Sequence, residues 1–330
     1  RRMQYRRLGR AGVQVSALSF GSWVTFSNQL QVDNAKACMY AAYDAGVNFF
    51  DNAEAYARGR SEEIMGRVLA DSGWRRDSFL VSSKVFFGST EERKPNQTGL
   101  SRKHVIEACH QAMERLQVDY LDLYFCHRPD ENTPIEETVR AMSDLITQGK
   151  VLYWGTSEWS AQQIMEAYAV ARQYNLIPPT MEQPEYNMFH RRRVEEEYRR
   201  LYTQIGLGTT IWSPLYSGLL TGKYTEGVPE GSRLDLPGYE WLRERLLSEE
   251  RKALLEAVPK LGAVAKDLGA SMAQLALAWT IKNPNVSTAI TGASRPAQVE
   301  ENMRAVEVLE KLDESVMERI EEILSPLPEG

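Results

Sequence analysis

The 330-residue sequence predicts a single α/β domain over residues 1–330, folded as a (β/α)8 barrel. Three observations predict it. Eight apolar, β-rich runs alternate with segments of helical period. Runs such as VNFF and FLV are continuously apolar, the pattern of parallel strands covered on both faces. No Pro/Gly/Ser-rich linker divides the chain.

Residues 3–15 read as a short hairpin around Gly9–Gly12, placed to plug the barrel bottom. The first strand is VSALSFG (15–21), and its helix is Asp33–Ala45 with Asp33 as N-cap. VNFFDN (47–52) leads to Ser61–Asp71, whose S-E-E opening suits a helix N-terminus. FLVSSK (79–84) precedes Ser101–Leu116, and LDLYFCH (121–127) precedes Pro134–Gln148. LYWGTS (152–157) is followed by Ser160–Tyr174. TMEQPEY (180–186) is the poorest strand, being polar and carrying Pro184; Arg192–Gln204 follows it. GTTIWSP (208–214) pairs with Ser271–Lys282, which opens on a Ser cap. STAITGA (287–293) pairs with Pro296–Leu309, where Pro sits at or near the first helical position. Residues 216–247 form a long loop after the seventh strand, expected to cover a ligand as a lid. Residues 312–324 read as an extra, closing amphipathic helix.

Composition narrows the function. With 43% hydrophobic and 25% charged residues, a core of this size stands without staples. A net charge of −6 argues against broad nucleic-acid binding. No run approaches the roughly 20 apolar residues of a membrane span, and the basic RRMQYRRLGR lacks a signal peptide's apolar stretch. Cys38, Cys109 and Cys126 form no disulfide framework, so the expected compartment is the cytoplasm. His104, His110, His127 and His190 lack metal-ligand spacing, and no metal is expected. His104 and His110 read as surface or packing residues. Arg191, Arg192 and Arg193 read as a solvated or oligomer-facing surface. Neither a G-x-G-x-x-G after the first strand nor a phosphate-binding G-x-x-x-x-G-K-[ST] is present.

The chemistry sits on Asp51, Tyr56, Lys84 and His127. Asp51, Lys84 and His127 close the second, third and fourth strands, and Tyr56 follows in the loop after the second. All four then face the C-terminal mouth, where barrel active sites are built. Cys126, adjacent to His127, points to the opposite face and packs as a small apolar residue. A phenol is a poor acid at neutral pH, with a reference pKa of about 10. A buried ammonium beside a phenol favours phenolate, a carboxylate holds the ammonium, and an imidazole orients a substrate oxygen. The set reads as a general acid for carbonyl reduction. The mouth aromatics Trp23, Phe26, Tyr56, Phe86, Phe87 and Trp159 suggest a pocket for apolar or aromatic aldehydes.

The stretches GSWVTF, FDNAEAYARGRSEEIMG, GLSRKHVIEA, HRPDENTPIEETVRAM, YWGTSEWS, IWSPLYSGLLTGKY and GASRPAQVEEN span nearly the whole chain. They resemble the aldo-keto reductases, most specifically the branch with the voltage-gated potassium-channel β subunits and their bacterial relatives. The resemblance implies NADPH/NADP+ as cofactor and a small aldehyde or ketone as substrate. It makes Tyr56 the proton donor, Lys84 with Asp51 its activator, and His127 the residue that positions the carbonyl. Animal channel subunits carry Asn at that position and are slow reductases, so His127 favours a working enzyme over a redox-sensing channel subunit. The nicotinamide would stack on Trp212, with its carboxamide at Ser157 and Gln183. Ser213, Leu215, Ser217 and Lys223 would follow the pyrophosphate, and Ser294, Gln298, Glu301 and Asn302 the adenosine end. Arg233 and Arg295 would take the 2′-phosphate. Ser22, Trp23, Gln29, Asp51, Pro214, Gly218 and Gly292 complete the cofactor-binding set. Glu158 departs from the Asn or Arg common near the carboxamide, and the sequence leaves its direction open. The resemblance also extends to a homotetramer or larger ring and to a channel partner as the competing expectation.

Overall fold

The computed structural model describes residues 3–21, 29–223, 237–246, 248 and 251–330. A hairpin of β1 (Tyr5–Arg7) and β2 (Gln14–Ser16) opens the chain. Then come β3 (Leu18–Gly21), α1 (Gln29–Asp44), β4 (Phe49–Asp51), α2 (Arg60–Ser72), β5 (Leu80–Val85) and α3 (Arg102–Leu116). The middle of the barrel is β6 (Leu121–Cys126), α4 (Ile135–Thr147), β7 (Val151–Ser157), α5 (Ala161–Gln173), β8 (Met181–Gln183) and α6 (Arg199–Gln204). It ends with β9 (Gly208–Ile211), α7 (Glu240–Leu246), α8 (Lys252–Asp267), α9 (Met272–Lys282), β10 (Thr288–Thr291), α10 (Pro296–Met303), α11 (Ala305–Leu309) and α12 (Glu314–Leu324). Strands β3 to β10 pair in parallel and in sequence, and β10 closes onto β3. The predicted eight-stranded barrel is therefore present. Among the described residues no helix is long and apolar enough to cross a membrane.

Strand alternation sorts the side chains. Phe49, Leu80, Leu123, Phe125 and Met181 fill the barrel interior. Phe50, Val81, Tyr124, Cys126 and Trp154 belong to the layer against the helices. Cys126 thus packs outward, as its parity requires, and burial pushes its thiol pKa up. The same parity aims Asp51, Lys84 and His127 inward. The hairpin closes the N-terminal end, where Leu8 and Val15 join the interior cluster. Gly9 lies there with φ +57°, and a Cβ on it would meet the Gly206 carbonyl oxygen at 2.1 Å.

Several element boundaries differ from the sequence reading. Helix α1 starts at Gln29, so Asp33 is inside it instead of capping it; the buried Val32 already belongs to its apolar face. Helix α2 starts after Gly59, and Ser61 is buried in its first turn. The expected Arg192–Gln204 helix begins as a π-helical turn over Arg193–Glu197 before α6. At that seam Tyr198 turns into the core, where its hydroxyl lies 3.0 Å from Glu182 Oε2. The Pro296–Leu309 helix is divided at Arg304. Helices α7 and α8 had no counterpart in the reading. The buried Leu254, Ala257, Val258, Leu261, Val264 and Ala265 of α8 follow a helical period, but Pro259 in its interior masked it. The centre of the expected lid, 224–236, lies outside the described residues.

Candidate active site

Strand β4 delivers Asp51 to the barrel mouth, and β5 delivers Lys84 beside it. The chain then passes through Ala57 and Arg58 at φ 49° and 52° before Gly59, three left-handed residues in succession. Backbone of this kind is held by its surroundings, and here it returns Tyr56 over the lysine. The Lys84 ammonium, fully buried, donates to Asp51 Oδ2 at 2.7 Å, to the Asn52 carbonyl at 3.0 Å and to the Tyr56 hydroxyl at 3.1 Å. These are all the donors an ammonium has. Burial works against the Lys84 charge, but Asp51 and Tyr56 outweigh it and its pKa is raised. Asp51 also accepts from Ser82 Oγ at 2.6 Å and from Gln183 Nε2 at 3.4 Å, which links β4, β5 and β8 across the mouth.

His127 follows β6 and meets the Tyr56 ring edge-on, with centroids 5.8 Å apart. Phe87 packs against its other side at 5.0 Å. Its Nδ1 is buried without a hydrogen-bond partner among the described residues. Burial, then the charges of Lys84 and Arg128, hold its pKa well below the usual histidine value. The imidazole is neutral at physiological pH and has no spare proton of its own to give. Cys126 does not enter the site, and the four residues predicted as catalytic are brought together.

A buried carboxylate that the sequence reading passed over braces this quartet. Glu54 donates its backbone N–H to the Lys84 carbonyl, and its Oε2 accepts from Phe86 N at 2.8 Å and Gly88 N at 3.1 Å. Its Oε1 lies 3.2 Å from His104 Nε2, and His104 Nδ1 lies 2.7 Å from the Gly99 carbonyl. His127 N in turn donates to the Val85 carbonyl. The loops after β4, β5 and β6 are therefore joined by one hydrogen-bond network.

The residues expected at the nicotinamide stand at the ends of the next three strands. Ser157 ends β7 and donates to the Gln183 carbonyl at 2.8 Å. Gln183 ends β8 and donates to Thr210 Oγ1 at 3.0 Å. Trp212 follows β9, half-buried, and its indole Nε1 donates to Glu158 Oε2 at 3.2 Å. The structure thus resolves the direction of Glu158: it faces Trp212. After Trp212 the backbone is left-handed at Ser213, Tyr216, Ser217 and Gly218, a sharp loop that also carries Pro214 and Leu215. Lys223 is exposed beyond it. Gly292, Ser294 and Arg295 are exposed between β10 and α10, and Gln298, Glu301 and Asn302 share one face of α10. Ser22, Trp23, Phe26 and Arg233 lie outside the described residues, as does the side chain of Gln29.

One expectation is overturned and a second holds only in part. Trp159 is 2% exposed and packs in the core below the mouth, its carbonyl accepting from the Tyr198 hydroxyl, so it lines no pocket. The 191–193 run, read as a solvated or oligomer-facing surface, is exposed only at Arg192. Arg191 pairs with Glu195 and Glu321, and Arg193 reaches Glu158 and Glu197, each side chain about a quarter exposed. A run of three arginines carries no sign of acidic partners arriving from other elements.

The Aldo/keto reductase family pattern matches residues 17–325. A protein of Oryza sativa subsp. japonica named probable voltage-gated potassium channel subunit beta is 53% identical over 327 residues, covering 99% of this chain and 98% of that one. An Arabidopsis thaliana protein of the same name is 52% identical over 327 residues, with the same coverage of both chains.

Proposed function

From the premise that this chain belongs to the Aldo/keto reductase family, and so is an oxidoreductase, we propose that it reduces aldehydes and ketones to alcohols with NADPH. The observation that carries the proposal is the buried Lys84 ammonium, directed at once onto Asp51 and the Tyr56 hydroxyl beside a neutral His127. Of the four groups, the Tyr56 phenol is the one placed to give up a proton at the open side of the site.

The residues present suit the cofactor. Helix α10 starts without a side-chain cap, and Arg295 stands exposed at that start. An uncapped helix N-terminus beside a guanidinium suits a phosphate, and here it would be the 2′-phosphate, shared with Arg233. The left-handed loop of Ser213, Pro214, Leu215, Ser217 and Gly218, with Lys223, would follow the pyrophosphate. Ser294, Gln298, Glu301 and Asn302 would hold the adenosine end. Ser157 and Gln183 would hold the carboxamide, and Trp212 would present its ring face. NADPH, when bound, supplies the hydride.

In the reduction itself His127 orients the carbonyl oxygen towards the Tyr56 hydroxyl. Tyr56 passes its proton to that oxygen as negative charge develops there. Lys84 stabilises the phenolate left behind, and Asp51 keeps the ammonium in place. Each donor is fixed before the reaction, so little reorganisation accompanies the charge shift. Phe86 and Phe87 give the mouth an apolar wall. The protein is proposed to act in the cytoplasm as a homotetramer or larger ring.

The test is NADPH consumption with a reactive aromatic aldehyde, with alcohol formed in equal amount. Tight NADPH binding without turnover would defeat the reductase reading. The plant relatives' names favour one second reading, a cofactor-loaded subunit of a potassium channel. His127 favours the enzyme, because the animal channel subunits place Asn there. Co-purification with a membrane channel, together with absent turnover, would favour the subunit.

A further inference from the structure

We infer that Glu158 is a positioning residue that fixes the Trp212 indole and, through its negative charge, makes the site favour the oxidised, cationic nicotinamide over the reduced one. The inference rests on the nicotinamide reading of Trp212 given above.

Glu158 occupies the first position after β7 with φ 57°, a conformation that L-residues avoid unless held there. Its carboxylate is what holds it. Oε2 accepts from Trp212 Nε1 at 3.2 Å and from Glu185 N at 2.8 Å, while its own N–H donates to Glu182 Oε2 at 3.0 Å. One side chain thus ties together the ends of β7, β8 and β9, the positions proposed to meet the nicotinamide. The indole cannot rotate without breaking a bond to a charged acceptor, the stronger kind of hydrogen bond.

The charge at this corner is only partly offset. Arg193 approaches the other Glu158 oxygen only to 3.6 Å and is shared with Glu197 at 3.5 Å. Glu182 behind it is fully buried. Burial, then the nearness of Glu158, push its carboxyl up to about 8. Hydride loss converts a neutral dihydronicotinamide into a cationic ring. A carboxylate behind the platform favours that cation directly, and its pull on the indole N–H enriches the ring face the cation would meet.

The test compares binding of NADP+ and NADPH to wild type, Glu158→Gln and Glu158→Leu, read by calorimetry and without turnover. Gln keeps an acceptor for Trp212 and removes the charge. The expected result is NADP+ binding weakened on the order of three- to tenfold with NADPH nearly unchanged, the scale of one partly screened charge. Leu also releases the indole and weakens both forms. An unchanged NADP+/NADPH affinity ratio in Glu158→Gln would overturn the inference and leave the reductase reading standing. Failure of wild type to bind either form would overturn both.

Discussion

Lys84 and His127 show how little latitude the single residues of the site have. A fully buried ammonium survives only because a carboxylate, a carbonyl and a phenol oxygen accept its hydrogen bonds. His127, buried beside that ammonium, stays neutral. The consequence has a definite sign. The unfolded chain protonates this histidine below about pH 6.5, and the folded protein does not. Its contribution to stability is therefore present above that pH and lost as the pH falls below it. Denaturant unfolding at pH 7.5 and at about pH 5.5 should show a smaller acid loss in His127→Asn than in wild type. Aldehyde turnover by that variant should be slower with NADPH binding retained. Equal acid loss in both proteins would mean that His127 already carries its proton when folded. The clustering of Asp51, Lys84 and His127 was legible in the sequence because each closes an apolar run and strand parity then fixes its side; Tyr56 follows in the loop after Asp51. Glu54 was not, since nothing near it names the Phe86 and Gly88 amides that it binds. Trp159 was misread because aromaticity does not tell inward from outward after a strand has ended.

At the scale of elements, the legible parts were those with local signatures. Ser101, Ser160 and Ser271 cap α3, α5 and α9, and the last two complete capping boxes with Gln163 and Gln274. Ser271→Ala should therefore cost about 1 kcal/mol, measured by denaturant unfolding. A loss near zero would show that packing of α9, whose residues are almost all buried, holds its first turn without the cap. Elements that answer to distant partners were harder to read. The π-helical turn before α6 exists to bring Tyr198 to Glu182, a contact between segments that no local period records. Helix α8 has the right period, but Pro259 argued against it, and its packing against α12 outweighs that local cost.

For the whole molecule, closure is the organising fact. Parallel strands buried on both faces need a ring of helices outside and a seal at one end. The hairpin provides the seal, with Leu8 and Val15 beneath the interior side chains. Gly9 is its tightest point. Gly9→Ala adds a methyl group against fixed backbone at a left-handed position, so the thermal midpoint should fall by several degrees. An unchanged midpoint would show that the hairpin shifts freely and does not seal the barrel. The barrel itself was predictable from the alternation of runs, whereas its ion-pair belts were not, because Arg191 with Glu321 and Arg115 with Glu62 join segments far apart in sequence.

The central claim is that Tyr56, activated by Lys84, is the general acid of a carbonyl reductase. The most direct measurement is single-turnover NADPH oxidation at 340 nm with a reactive aromatic aldehyde, comparing wild type with Tyr56→Phe. A rate about 10²- to 10⁴-fold lower in the variant is expected, with unchanged NADPH affinity and folding. Equal rates in the two proteins would contradict the account.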